Sequence, residues 1–281
     1  MTTATARVFD AMAAEYDVLE PWYEHLYATL HRILRTALAP PPDVPSPRAL
    51  DAGCGTGLQT ALLTELGYDA HGIDLAGELL RVARQRGRGS ALALGDLAAL
   101  PYPDGCFHAV TCCGSTLSFV EAPARALAEM ARVLGPGGRL LVECEHRGSL
   151  DLGWRLLSSL AGDPLGYGAS PAEAWRTLAS TRAGRGGEGC WLDYPGYPPL
   201  RLFTGRELYG LLDAAGLRPR RAWGIHTVTN LIPSTVLHRP RLRGPLAHLY
   251  RGLRAVDGAL SAWSPAARLA NSLVILARKT D

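Results

Sequence analysis

Apolar positions in this chain change their period several times, and the changes divide it into elements. Near the amino terminus, YEHLYATLHRILRTALA spaces Leu26, Leu30, Ile33, Leu34 and Leu38 three or four residues apart, which predicts a helix that PPPDVPSP stops. From Arg48 onward short apolar runs alternate with helical ones. RALDAG predicts a first strand, LQTALLTELG a helix ended by Gly67, YDAHGIDL a second strand, GELLRVARQRG a second helix and SALALGD a third strand. HAVTCCGS continues as a fourth strand, APARALAEMARVL as a helix and, after the turn GPGG, RLLVECE as a fifth strand. Strands and helices taking turns in this way are the pattern of a parallel sheet covered by helices.

The alternation breaks from Arg147 to about Arg201, where Gly-rich RAGRGGEG and Pro-rich CWLDYPGYPPL stand. An insertion of that length is usually functional or disordered, and Trp191, Tyr194 and Tyr197 argue against plain disorder. Regular structure resumes with the helix GRELYGLLDAAG, a sixth strand in RPRRAWGIHTV, a helical piece from Leu242 to Trp263 and the final strand NSLVILARK. The chain thus divides into an amino-terminal helical segment (1–45), a core (46–146), an insertion (147–201) and a carboxy-terminal part of the core with an added helical segment (202–281).

Composition narrows the class without naming it. With 281 residues, 47% hydrophobic, the chain suits one elaborated domain better than two. It has no run of about 18 apolar residues to span a bilayer and no apolar leader at its amino terminus, so a cytoplasmic location is expected. Six cysteines show no paired CxxC spacing, and the adjacent Cys112 and Cys113 would point to opposite faces of a strand. Reduced thiols and no metal site are therefore expected. Charge is uneven: residues 200–281 hold 13 Arg and Lys against 4 Asp and Glu, while residues 1–199 hold 16 against 22. Such a basic end suits nucleic acid, anionic lipid or an acidic substrate, although a solvated helix face is the commoner explanation.

The chemistry begins at ALDAGCGTG, residues 49–57. In an open parallel sheet, ligands sit beyond the carboxyl ends of the strands where strand order reverses, and the turn after the first strand lies there. Gly53, Gly55 and Gly57 allow close approach and positive φ. Their G-x-G-x-G spacing differs from the G-x-G-x-x-G of dinucleotide sites, which disfavours a nicotinamide-dependent oxidoreductase. Asp51 just ahead of the turn would repel a pyrophosphate and attract a cationic amine. S-adenosylmethionine, with an ammonium and a sulfonium and no phosphate, fits that demand.

ALDAGCGTG resembles the cofactor motif of class I S-adenosylmethionine-dependent methyltransferases, and GIDLAGELLRVAR, ALALGDLAALPYPDGCFHAV and LGPGGRLLVE match the later motifs in order and spacing. The resemblance covers about residues 7–146, with weaker echoes in TGRELYGLLDAAGL and the last strand. It implies a Rossmann-like, doubly wound α/β fold: a mostly parallel seven-stranded sheet with helices on both faces, an amino-terminal helical lid and an insertion after the fifth strand. It also implies that Asp51, Gly53, Cys54 and Gly55 hold the methionine end. Asp74, followed by Leu75, would accept from both ribose hydroxyls. Asp96 would bind the adenine amino group and the backbone of Leu97 its ring, while Cys113, Gly114 and Ser115 approach the reacting methyl. FDAMAAEYDVLEPWY resembles the family's lid, with Tyr16 at the aromatic position that closes over the cofactor; an ordinary core contact is the equal alternative.

The acceptor is less legible. CCGSTLSFV resembles small-molecule methyltransferases, including glycine N-methyltransferase-like enzymes, and lacks the Asn/Asp-Pro-Pro-Tyr/Phe of base-methylating relatives, so no nucleic acid partner is expected. Methyl transfer from a sulfonium gains most from alignment in a dry pocket, and a general base is needed mainly for an acceptor that enters protonated. Candidates are His146, directly after the fifth strand with Glu143 and Glu145 at alternating positions before it, and His226 near the end of the sixth. A lone histidine in such a place is more often structural. The reading is methyl transfer to a small molecule through oxygen, nitrogen or sulfur, with the insertion and the amino-terminal helices forming the acceptor pocket. The alternatives are a non-catalytic S-adenosylmethionine-binding module acting through a partner, and a lipid-like acceptor at a membrane surface. For the latter, Leu242, Leu246, Leu249, Leu253, Val256, Leu260 and Trp263 make one apolar stripe with arginines mostly off it. Gly244, Gly252 and Gly258 favour a helix packed over the sheet edge instead.

Overall fold

A computed structural model describes residues 4–18, 21–89, 91–183, 190–193 and 196–280. Strands β1 (Arg48–Ala52), β2 (Asp69–Asp74), β3 (Ala91–Leu94) and β4 (Phe107–Cys112) fall where the alternation puts them, whereas β5 (Leu134–Glu145) starts five residues before RLLVECE and takes in GPGG, expected as a turn. Two short strands, β6 (Cys190–Leu192) and β7 (Leu200–Leu202), lie in the insertion, followed by β8 (Leu217–Ile225) and β9 (Ser272–Lys279). Seven of these form one sheet in the order β3-β2-β1-β4-β5-β9-β8, and β6 pairs with β7 in a separate ribbon. Only β9 runs against its neighbours in the large sheet; the pairings among β1 to β5 are parallel. Strand order reverses between β1 and β4, which opens a crevice beyond their carboxyl ends.

Both faces of the sheet are covered. Helices α1 (Ala4–Met12), α2 (Pro21–Ala37), α3 (Leu58–Glu65), α4 (Gly77–Gln85) and α5 (Pro123–Val133) precede the insertion. The insertion contributes α6 (Asp151–Leu160) and α7 (Pro171–Ala183), and α8 (Gly205–Ala214) follows it. Alternating strand residues split the core by parity: Leu50, Ile73, Val110, Leu140 and Ile275 pack with Leu127 and Met130 of α5 and Leu208 and Leu212 of α8. Ala49, Ala109, Leu141 and Val274 face the other way, onto Leu26, Leu30 and Leu34 of α2 and Leu62 and Leu63 of α3. The start of α8 is fixed locally, because Thr204 and Glu207 reciprocally cap its first turn.

The predicted helix beyond β8 forms, but its buried face differs from the apolar stripe. After the short helix α9 (Ser234–Leu237), α10 spans Gly244–Leu260 and buries Tyr250 and Asp257, while Leu249, Val256 and Trp263 stay 54%, 48% and 58% exposed. A polar anchor sets the rotation. Asp257 accepts hydrogen bonds from His25 of α2 at 2.7 Å and from the backbone N–H of His226, Thr227 and Val228. Turning α10 to bury the stripe would leave that carboxylate and its donors unsatisfied. Leu242, Leu246 and Leu253 still pack, against Trp22, Ile232 and Leu237, and the helix also meets β8 at the sheet edge. No helix among the described residues is long and apolar enough to cross a membrane.

Candidate active site

The turn after β1 combines two kinds of glycine. A Cβ on Gly53 would fall 2.2 Å from the Thr116 methyl, so its glycine permits the chain after β4 to close over the turn. A Cβ on Gly55 would instead stand 3.7 Å from the Tyr16 ring, on the edge of a cavity of about 320 Å³ that both residues line. Both glycines have positive φ, 81° and 52°. The Gly55 N–H donates to Asp74 at 2.7 Å, and the Ala76 N–H donates to the other oxygen of the same carboxylate at 2.8 Å. The end of β2 is therefore tied to the end of β1, with Asp74 facing the cavity. Burial raises the Asp74 pKa, and the two backbone donors oppose that rise.

Leu75, Asp96 and Leu97 line the same cavity, with Gly114 and Thr116 on the side of β4. Its charged lining residues are Asp74, Asp96, Glu121 and Arg125, a net negative set that suits a cationic ligand and opposes a pyrophosphate. Three predicted positions lie beneath the surface instead. Asp51, 1% exposed, accepts from Thr60 at 2.7 Å, and burial pushes its carboxyl up to about 7. Cys54 and Cys113 are buried, and burial raises both thiols well above their usual range. These residues shape the turn and the end of β4 without lining either cavity beside them.

A second cavity of about 350 Å³ adjoins the first, sharing Phe9, Tyr16, Gly114 and Phe119 with it. Tyr16 thus sits at the junction. Trp22 and Tyr23 from α2, Leu165 and Leu200 from the insertion, and Ser234, Thr235 and His238 from around α9 complete much of the wall. Trp191 points 43% into solvent and does not line it, Tyr197 does, and Tyr194 lies outside the described residues. Ser115, three residues beyond β4, and Glu145, which ends β5, meet here. Ser115 adopts a φ of 59°, uncommon for a side-chain-bearing residue, while its N–H donates to Glu143 at 2.5 Å and its hydroxyl to Glu145 at 2.8 Å. Asn271, just before β9, donates to the second Glu145 oxygen. Burial and the neighbouring Glu143 charge push Glu145 up to about 8.

Neither predicted histidine reaches these cavities. His146 lines a different hollow, with Arg147, Thr204, Arg206 and Arg268, and its Nδ1 lies 3.1 Å from the Ala270 carbonyl. His226 is fully buried: its ring stacks on Trp22 at 3.7 Å and its nitrogens contact Thr229 and the Trp22 carbonyl. Burial lowers the pKa of both. Glu145, one residue before the predicted His146, is the titratable group that β5 delivers to the cavity. Strand parity was its only sequence signal, since nothing in VECEH marks which of the two acids ends at an opening.

The methyltransferase domain family matches residues 50–142, the segment that carries β1 to β5 and most of the first cavity. That stretch is similar to a methyltransferase domain. Over 137 residues the chain is 35% identical to a demethylmenaquinone methyltransferase of Renibacterium salmoninarum, covering 49% of this chain and 56% of that one. Over 144 residues it is 36% identical to a malonyl-[acyl-carrier protein] O-methyltransferase of Herminiimonas arsenicoxydans, covering 50% and 51%. The match spans little more than half the length of each relative. A solved S-adenosylmethionine-dependent methyltransferase from Mesorhizobium loti shares the fold, with a TM-score of 0.52 at 17% identity over 90% of this chain and 98% of that one.

Proposed function

We propose that this protein transfers the methyl group of S-adenosylmethionine to a small-molecule acceptor, with cofactor and acceptor in the two adjoining cavities. The observation that carries the reading is their meeting at Gly114 and Tyr16, so that a methyl offered from one side faces the other. The cofactor supplies an electrophilic methyl on sulfur. The turn from Gly53 to Gly55 would hold its amino-acid end, Asp74 its ribose hydroxyls, and Asp96 with Leu97 its adenine. Asp51 and Cys54 support that turn from below, and Cys113 supports Gly114 and Ser115. Leu75 and Tyr16 wall the ligand from water.

The arrangement of the chain into lid, cofactor core, insertion and carboxy-terminal addition serves this division of labour. The amino-terminal segment gives Phe9 and Tyr16 to both cavities, and the insertion and the α9 region give walls to the second alone. The named relatives are a demethylmenaquinone methyltransferase and a malonyl-[acyl-carrier protein] O-methyltransferase, which supports a small-molecule acceptor over nucleic acid. The test is formation of S-adenosylhomocysteine from S-adenosylmethionine in the presence of an acceptor library, followed by mass spectrometry. Turnover that requires an acceptor is expected. Tight cofactor uptake with no turnover on any acceptor would favour a binding module.

A further inference from the structure

The second cavity has a marked charge and wall chemistry that bears on which acceptor it takes, an inference that rests on the reading of that cavity as the acceptor site. Six of its lining residues are aromatic: Phe9, Tyr16, Trp22, Tyr23, Phe119 and Tyr197. Glu145 stands among them, and no arginine or lysine lines the cavity among the described residues. On the same wall, the buried Thr235 hydroxyl has no hydrogen-bond partner among the described residues. Aromatic faces attract cations, and a carboxylate with no counter-cation attracts them more strongly.

We propose that the acceptor is an amine, that Glu145 holds its nitrogen at the junction of the two cavities, and that the reaction is N-methylation. An anionic acceptor fits poorly. A carboxylate or phenolate would find no basic side chain to pair with, and any ionisation of Glu145, with Glu143 behind it, would repel it. An ammonium instead gives up a proton to the Glu145 carboxylate and becomes a nucleophilic amine. Its lone pair forms the N–CH3 bond as the S–CH3 bond breaks and that electron pair stays on sulfur. The Ser115 hydroxyl and the Asn271 amide hold the two carboxylate oxygens in place.

The groups that set this site's titration lie on several elements. Glu143 shares the face of β5, Asp151 of α6 adds a further negative charge, and His238, Tyr16, Tyr23 and Tyr197 share the cavity with Glu145. With its pKa near 8, the empty site carries a proton at neutral pH, and an amine that enters as an ammonium must displace one. Amine binding therefore releases about one proton per molecule at pH 7, whichever partner keeps the shared one.

The experiment is isothermal titration of 2-phenylethylamine, 2-phenylethanol and phenylacetate into the protein saturated with S-adenosylhomocysteine, in buffers of differing ionisation enthalpy. The amine is expected to bind roughly tenfold or more tightly than the alcohol, with proton release, and phenylacetate more weakly than either. In Glu145→Gln both the preference and the proton release vanish while S-adenosylhomocysteine affinity stays unchanged. Asn271→Ala, which keeps the carboxylate and removes one donor, retains the preference and moves proton release to higher pH; it decides the matter if the first variant does not fold. An amine that binds no more tightly than the alcohol, including no binding by any of the three, overturns the proposal, as does a preference that survives Glu145→Gln. Failure of the wild-type protein to take up S-adenosylhomocysteine is a separate result and counts against the cofactor reading.

Discussion

The Thr56 hydroxyl of the glycine turn donates to Asp17 of the amino-terminal segment at 2.5 Å, across 39 residues of chain. Arg86 and Arg88, which follow α4, ion-pair with the same carboxylate. Asp10 adds a second clasp by accepting from the Glu78 N–H at the first turn of α4. The segment that carries Phe9 and Tyr16 is thereby fastened to the elements that build the cofactor cavity.

Removing the clasp should loosen the cover without unfolding the sheet. Asp17→Ala is expected to weaken S-adenosylhomocysteine binding by roughly 1–2 kcal/mol, because it removes a hydrogen bond to a charged group and leaves two arginines unpaired. Calorimetry measures the affinity, and limited proteolysis should show faster cleavage ahead of α2. Unchanged values in both would mean that the segment is held by packing alone.

Asp74→Ala tests the other side of the cavity. It removes the acceptor for the Gly55 and Ala76 N–H groups as well as for a ribose, so cofactor affinity should fall by roughly 1.5–3 kcal/mol while the melting curve stays cooperative. A folded variant with wild-type affinity would remove Asp74 from the site.

Much of this cavity was legible in the sequence, and for a physical reason. The spacing ALDAGCGTG encodes a backbone path, and positive φ at Gly53 and Gly55 tolerates little else. Asp74 and Asp96 were legible through the resemblance of GIDLAGELLRVAR and ALALGDLAALPYPDGCFHAV to family motifs, not from their positions alone; Asp74 ends β2 and Asp96 stands two residues beyond β3. The acceptor side depends on contacts between residues far apart in the chain, such as Ser115 with Glu145 or Trp22 with His226. No local period reports those. The face of α10 was misread from the same cause: the apolar stripe carries a real period, but one buried Asp257 with five donors, the Thr229 N–H included, outweighs it.

That network has a measurable strength. Asp257→Ala strands His25 and the N–H groups of His226, Thr227 and Val228, and should destabilise the protein by roughly 3 kcal/mol or more. By contrast, His146→Gln should leave methyl transfer within a few-fold of wild type, since the hollow it lines shares no lining residue with the second cavity. Denaturant melts check the first and steady-state rates the second.

Asp51 gives a pH dependence of defined sign. Its folded pKa, about 7, lies above the unfolded carboxylate value, so the folded state binds the extra proton between roughly pH 4 and 7. Stability contributed by keeping Asp51 neutral is present below that window and is lost as pH rises through 7. Asp51→Asn, which can still accept from Thr60, should flatten the fall and be the more stable protein at pH 8, by about 1 kcal/mol or more. Thermal melts from pH 5 to 8 measure this, and parallel pH profiles for the two proteins would contradict it.

The most direct test of the central claim is a crystal structure of the protein grown with S-adenosylhomocysteine. The account predicts its ribose hydroxyls within hydrogen-bond distance of Asp74, its adenine beside Asp96 and Leu97, and its sulfur turned toward Gly114 and the aromatic cavity. Ligand density elsewhere, or a sulfur turned away from that cavity, would contradict it.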